Sequence, residues 1–205
     1  MTELNAKQIE IIKITEKLFA EKGFDGTSIR EIAKAADINV AMISYYFGSK
    51  EKLLETIILY RVSSFGTMLE NLQNECISPQ EKLKKFVTFY IDKVYNNRDI
   101  YQILHYEIVN QNRTSDFPAF TAVKRKNLEL LEKIIMEGQR NDAFKEKCNP
   151  ILIPPLVIGA FFQIYNNKKF YQQALNLKDE ESFKDYILNE FTEEISNVIL
   201  GMLIK

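Results

Sequence analysis

Apolar residues recur along this chain at the three- and four-residue spacing of α-helices, and strand-like alternation is nearly absent. Turn and cap residues separate the repeats, and a loop is expected near residues 112–116. The pattern predicts helices near residues 6–22, 28–36, 40–46, 50–73, 79–96, 98–110, 116–139, 156–175 and 180–203. The predicted fold class is therefore all-α. A three-helix domain at residues 1–50 is joined by the helix at 50–73 to a larger helical domain at 51–205, with no flexible linker.

Residues 27–47 read as two short helices joined by a tight turn. Thr27 and Ser28 offer hydroxyls at the first helix start, and Ser28 with Glu31 forms a capping-box pattern. Asn39 is placed to cap the second helix. Small residues let the two helices approach closely; these are Ala33, Ala36 and Ala41. The segment is typical of a helix-turn-helix, whose second helix enters a DNA major groove.

The exposed side of that second helix is predicted to read base edges. Its candidate residues are Asn39, Val40, Ala41, Met42, Ser44 and Tyr45. Val40 and Ala41 can make apolar contacts with thymine methyl groups, whereas the polar members can form hydrogen bonds. Ile43 and Phe47 are expected in the core. The Tyr46 hydroxyl can donate to a phosphate, although Tyr45 and Tyr46 could instead pack against the first helix.

Backbone phosphates are expected at two helix N-termini. Thr27 and Ser28 lie at one of them, where hydroxyls and free N–H groups can hold a phosphate oxygen. Lys50 opens the next helix and is predicted to contact a phosphate on the same strand. The alternatives are a solvated surface lysine at Lys50 and a helix cap at Thr27, and capping is compatible with phosphate contact.

The segment from Gly23 to Leu54 resembles the DNA-binding region of TetR-type transcriptional regulators, over about residues 7–58. The matching positions are Gly23-Phe24, Thr27-Ser28, Ile32-Ala33, Ala36, Tyr45-Tyr46-Phe47, Gly48-Ser49-Lys50 and Leu53-Leu54. The chain departs at Ser44 and Tyr46, where many relatives carry Tyr and His. The resemblance implies phosphate contacts from Thr27, Ser28 and Lys50. It also implies a symmetric homodimer on a palindromic site in double-stranded DNA.

By the same resemblance, a small molecule bound in the C-terminal domain would shift the helix that begins at Lys50 and weaken operator binding, as in a repressor. The C-terminal domain is rich in aromatic residues, which could enclose an apolar cavity or fill an ordinary core. The candidate ligand-binding residues are Phe89, Tyr101, His105, Phe120, Phe162 and Tyr165. The ligand is expected to be partly apolar.

The last two predicted helices are the dimerisation candidates. One mixes small and large side chains at helical spacing, and the other carries an apolar stripe. The predicted contact residues are Leu156, Gly159, Ala160, Gln163, Ile187, Phe191, Ile195 and Val198, with Ile199 and Met202 continuing the stripe. Both helices must also cover the core of their own subunit, so the stripe alone does not distinguish contact with a second copy from packing within one subunit.

Composition narrows the remaining function classes. The 27 basic and 28 acidic residues nearly balance, and residues 1–60 hold eight basic and nine acidic residues, so non-specific DNA affinity should be modest. A single histidine, two isolated cysteines and the lack of a glycine-rich phosphate loop predict no metal, no cofactor and no enzyme activity. The cysteines favour reduced thiols, and neither a leader nor a membrane span is predicted, so a cytoplasmic protein is expected. The alternative function is an architectural DNA-binding protein with a protein partner.

Overall fold

Local capping signals start most helices where the sequence predicts. The computed structural model describes residues 4–109 and 118–204, with side chains 105–109 excepted. The first helices are α1 (Ala6–Lys22), α2 (Ile29–Ala35), α3 (Val40–Phe47) and α4 (Lys50–Gln73). The Ser49 hydroxyl accepts from the Lys52 N–H at 3.2 Å, which caps α4. Among the described residues, every regular element is helical, as the fold-class prediction requires.

The later helices are α5 (Pro79–Asn96), α6 (Arg98–Val109), α7 (Pro118–Arg140), α8 (Ile153–Asn166), α9 (Lys168–Ala174), α10 (Glu180–Tyr186) and α11 (Thr192–Leu203). A 3₁₀ turn, Pro150–Leu152, precedes α8, and a π-helical turn, Ile187–Phe191, joins α10 to α11. Across the described ranges, no helix is both long and apolar enough to cross a membrane.

The chain divides into two compact units. The first comprises the described residues within Met1–Ser63 and Asn97–Val123, and the second those within Ser64–Asn96 and Lys124–Lys205. This division differs from the boundary predicted at residue 50. The first unit takes in α6, whose Ile100, Ile103 and Leu104 are buried in the same cluster as residues of α1–α4. Sequence spacing shows an apolar face on α6 but not which core that face joins.

The first unit is built around apolar side chains from each of its helices. Ile11 and Phe19 of α1 are buried with Ile43 of α3 and Ile57 of α4. A bidentate ion pair adds a polar tie between α1 and α4. The Arg61 Nε donates to the Glu16 carboxylate at 2.6 Å, and Nη2 donates to its other oxygen. This contact raises the pKa of Arg61, so the guanidinium stays charged.

Helix α5 organises the second unit, because α8, α11 and the π-helical turn all pack on it. Its buried face includes Phe86, Val87 and Ile91. Lys82 of α5 is also buried, and its Nζ donates to the Glu137 carboxylate at 2.9 and 3.0 Å and to the Gln73 carbonyl at 3.0 Å. That last bond satisfies a carbonyl at the C-terminal end of α4.

Two predicted boundaries were wrong in the C-terminal half. Helix α8 begins at Ile153 rather than Leu156, because Pro154 and Pro155 fit the first turn, where a missing N–H breaks no helical bond. The helix predicted to continue to Leu175 stops at Asn166. Asn167 takes non-helical dihedrals and its side chain donates to the Gln163 carbonyl at 2.8 Å, which competes with helix continuation.

Candidate nucleic-acid interface

The turn between α2 and α3 is fixed by local hydrogen bonds. The predicted capping box is confirmed: the Glu31 N–H donates to the Ser28 hydroxyl at 3.2 Å, and the Ser28 N–H donates to the Glu31 carboxylate at 2.8 Å. Asn39 caps α3 by accepting from the Ala41 N–H at 2.9 Å. Between the two helices Asp37 adopts φ +50°, a left-handed conformation that Asp tolerates better than most residues. These contacts hold α2 and α3 as a packed helix-turn-helix.

Helix α3 keeps one face in the core and turns another outward. Ile43 and Phe47 are buried, as the sequence predicts. The outward face carries Asn39, Val40, Ala41, Ser44 and Tyr45. Tyr45 is 79% exposed, which is unusual for a large aromatic side chain. A short, polar and aromatic helix face of this kind suits contact with base edges and phosphates in a major groove.

The other two candidates on α3 are less accessible for contact with DNA. Met42 and Tyr46 are half-buried. Tyr46 packs against the core cluster of the first unit and makes edge contacts with the rings of Tyr45, at 5.3 Å between centroids, and Phe47, at 6.2 Å. Tyr46 therefore supports the position of Tyr45 as well as bordering the exposed face.

The Thr27 side chain makes its hydrogen bonds within the folded unit. It is 1% exposed, and the hydroxyl donates towards the Gly23 carbonyl at 2.9 Å and the Leu18 carbonyl at 3.2 Å. The hydroxyl thus ties the turn after α1 to the start of α2. Since the hydroxyl is buried on these two carbonyls, the geometry does not support the phosphate contact predicted for it. Sequence position alone does not show which way a side chain turns.

Ser28 is exposed, yet its hydroxyl donates to the Glu31 carboxylate at 2.9 Å. Glu31 also accepts from Lys22 Nζ at 3.0 Å. Bonds from the Ser28 backbone, Lys22 and the Ser28 hydroxyl lower the pKa of Glu31 to about 2. The start of α2 therefore carries its own ionised carboxylate, at the helix N-terminus where the sequence predicts a phosphate contact.

Lys50 lies half-buried at the N-terminal end of α4. Its Nζ donates to the Thr27 carbonyl at 2.6 Å and lies 4.2 Å from the centroid of the Phe24 ring. The ammonium is thus held beside the loop that leads into α2. An ammonium has three donors, so the bond to Thr27 is compatible with a phosphate contact.

The candidate ligand residues fall in different parts of the chain. Phe89, Phe162 and Tyr165 are half-buried in the second unit, and Tyr101 and Phe120 belong to the first. His105 lies outside the residues whose side chains are described. Phe162 and Tyr165 both contact the buried Phe161, at 5.1 and 5.6 Å between ring centroids, whereas Phe89 contacts Phe65 at 5.6 Å. An open surface groove beside α9 holds no aromatic side chain; it is lined by Lys169, Gln172, Gln173, Asn176, Leu177 and Lys178.

The structure separates the dimerisation candidates. On α8, Leu156, Gly159 and Gln163 are exposed and Ala160 is half-buried. Val198 is exposed and Ile195 half-buried on α11. Ile187 and Phe191 lie in the core of their own unit, where they cannot touch a second copy. The π-helical turn, which periodicity alone does not reveal, separates the two groups.

Comparisons with known proteins agree with the helix-turn-helix geometry. The family model described as bacterial regulatory proteins, tetR family, matches residues 11–57, and a tetracyclin repressor-like C-terminal domain matches residues 79–183. The probable HTH-type transcriptional regulator YttP of Bacillus subtilis is 33% identical over 91% of this chain and 88% of its own. The HTH-type transcriptional repressor NicS of Pseudomonas putida is 28% identical, over 86% and 85%.

Similarity to solved structures extends along nearly the whole chain. A crystal structure of the transcriptional regulator FadR from Bacillus subtilis in complex with stearoyl-CoA matches with a TM-score of 0.66. It covers 96% of this chain and 97% of its own, at 19% identity, which shows a shared fold. Together with the two family models, these matches establish that the chain belongs to the TetR family of DNA-binding transcriptional regulators.

Proposed function

We propose that this regulator is a homodimeric repressor that binds a palindromic operator through α3 and is released by a small molecule. The outward face of α3, with Tyr45 exposed on a helix that Asn39 caps, carries the DNA-binding part of the proposal. Asn39 and Ser44 supply hydrogen bonds to base edges, and Val40 and Ala41 supply apolar contacts. Met42 and Tyr46 border this face.

Phosphate contact at the edge of the interface is assigned to Lys50, with Ser28 beside it. The Thr27 carbonyl holds the Lys50 ammonium in place, which lowers the entropy lost when a phosphate binds. Ser28 must exchange its hydrogen bond with Glu31 for one with the phosphate, so it should contribute less to DNA-binding affinity than Lys50 does. Thr27 contributes by positioning Lys50.

Selection of bound sequences from random duplex DNA tests specific recognition. We expect an inverted repeat whose half-sites are about one DNA turn apart, ~34 Å. On the selected operator, Lys50→Ala should weaken binding and reduce the salt slope by about two, one for each subunit of the dimer. Lys133→Ala, an equal loss of charge at an exposed position of α7, is the control. An unchanged salt slope for Lys50→Ala contradicts the phosphate assignment.

The homodimer is assigned to the exposed faces of α8 and α11. Leu156, Gly159 and Val198 leave uncharged helix surface uncovered within the subunit. Sedimentation equilibrium of Val198→Glu should show monomers. Asn197→Glu, an exposed neighbour about 100° around the helix, should stay dimeric. Equal behaviour of the two variants would place the interface elsewhere.

The ligand is assigned to the second unit and to the class of partly apolar small molecules. Phe162 and Tyr165 are half-buried on the buried Phe161, so their rings offer apolar surface without being sealed in the core. The stearoyl-CoA complex of Bacillus subtilis FadR shows that a protein of this fold can hold an acyl chain. Stearoyl-CoA is therefore a suitable first probe, with free coenzyme A as the polar control. The acyl form alone should raise the melting temperature and release the operator; no effect of either compound argues against this ligand class.

A further inference from the structure

The last helical segment carries one apolar stripe in sequence but two apolar faces in the structure. Ile187 and Phe191 are 0% and 3% exposed, whereas Val198 and Met202 are 59% and 44% exposed. In an uninterrupted α-helix these four positions fall within one narrow sector, since their spacings of four, seven and four residues repeat the helical turn. Burial of the first pair would then imply burial of the second.

The π-helical turn at Ile187–Phe191 explains the split. A π-turn closes on a hydrogen bond one residue longer than that of an α-turn, so the helix beyond it is displaced by about one residue, ~100°. The buried series leading into and through the turn is Phe183, Ile187 and Phe191. Beyond it the buried residues are Thr192, Ser196, Ile199, Leu200 and Leu203, and all of them except Leu200 lie one position after Phe191, Ile195, Val198 or Met202 of the original stripe. Val198 and Met202 leave the core as a result.

Thr192 makes the hydrogen bond that is specific to this register. Its hydroxyl is buried and donates to the Ile187 carbonyl, five residues earlier, at 2.8 Å. Ser196, one turn later, makes the ordinary helical version of the same bond, with its hydroxyl donating four residues back to the Thr192 carbonyl at 2.7 Å. The chain thus contains both the bond and a matched control for it.

The displaced face suits a second copy of this chain. From Ile195 to Leu203, α11 has no charged residue, and α8 has none over Ile153–Asn166. Both helices also expose a glycine, Gly159 and Gly201, where an added Cβ would meet nothing within 4 Å. Uncharged helix surfaces open to close approach complement one another, so two copies related by a two-fold axis can cover both.

We infer that the π-helical turn, closed by Thr192, is a positioning element for dimerisation, because it turns Val198 and Met202 out of their own core toward a second copy. The inference rests on the proposed homodimer. It assigns to Thr192 a positioning role without direct contact with the second copy, since this side chain is buried within its own subunit.

Thr192→Val keeps the shape of the side chain but removes the donor. We expect its dimer dissociation constant, measured by sedimentation, to rise by about tenfold or more, as the loss of a buried hydrogen bond allows. Ser196→Ala, which removes the ordinary bond, should leave the constant within about threefold of the unmodified protein. Thr192→Ser retains the donor and should dimerise normally. Equal weakening in Thr192→Val and Ser196→Ala would overturn the inference, because it would show a general loss of helix stability.

The rate of thiol labelling shows which positions of α11 are exposed, and it does not depend on dimerisation. In a background with Cys76→Ser and Cys148→Ala, Val198→Cys should react quickly in dilute monomer and Ile199→Cys slowly. Adding Thr192→Val should narrow the difference between the two rates. A monomeric unmodified protein with this labelling pattern would reject the homodimer while keeping the register. Fast labelling at Ile199→Cys in the unmodified background would overturn the role of the π-helical turn.

Discussion

Replacing Thr27 by valine separates a structural role from a DNA contact. The hydroxyl is buried and its single hydrogen lies between the Gly23 and Leu18 carbonyls, at 2.9 and 3.2 Å. Valine preserves the shape but leaves those carbonyls without this donor. Since removal of one partner from a buried hydrogen bond costs about 1–3 kcal/mol, we expect a loss of ~1–2 kcal/mol in the free energy of unfolding.

Two assays distinguish the roles. Urea unfolding at one fixed protein concentration should show a lower midpoint with an unchanged slope for Thr27→Val. Operator binding, measured well below the unfolding midpoint by fluorescence anisotropy, should be the same for Thr27→Val and Thr27→Ser. If the hydroxyl instead contacts a phosphate, Thr27→Ser will bind normally, Thr27→Val will bind weakly, and stability will barely change. That result would refute the structural assignment.

Two further predictions concern single contacts. Because bonds from Ser28 and Lys22 lower the pKa of Glu31 from 4.5 to about 2, its stabilising effect is present above pH 4.5 and lost as pH falls towards 2. Urea midpoints of Glu31→Gln should therefore depend less on pH across that window, whereas parallel curves would contradict the assignment. Gly138→Ala places a Cβ 2.0 Å from the buried Phe144 ring and should destabilise the protein by about 1–3 kcal/mol in the same assay. Adding Phe144→Leu should recover part of that loss.

Much of the helical framework follows from local chemistry. The bounds of α1, α4 and α5 agree with the sequence prediction, because caps and stop residues such as Ser49, Gly23 and Pro79 act within a single turn. The capping box of Ser28 and Glu31 is local in the same way. The helix-turn-helix could therefore be predicted from sequence, together with the outward face of α3.

The direction of side chains at the candidate interface depends less on neighbouring residues than the helix bounds do. Thr27 and Ser28 are adjacent and chemically similar, yet one is buried beneath the turn after α1 and the other is exposed. The difference arises from carbonyls at Leu18 and Gly23, which the fold brings to Thr27 from up to nine residues away. The assignment of α6 to the first unit likewise depends on contacts with α1, far away in sequence.

The amino-acid sequence by itself determined the all-α fold class, the helix-turn-helix and an apolar final segment, because each depends on spacing and capping over a few residues. Tertiary structure alone decided how that final segment is used. Ile187 and Val198 belong to the same sequence stripe, but one lies in the core and the other at the surface. The physical reason is a single π-helical turn, which displaces every later side chain by one position around the helix.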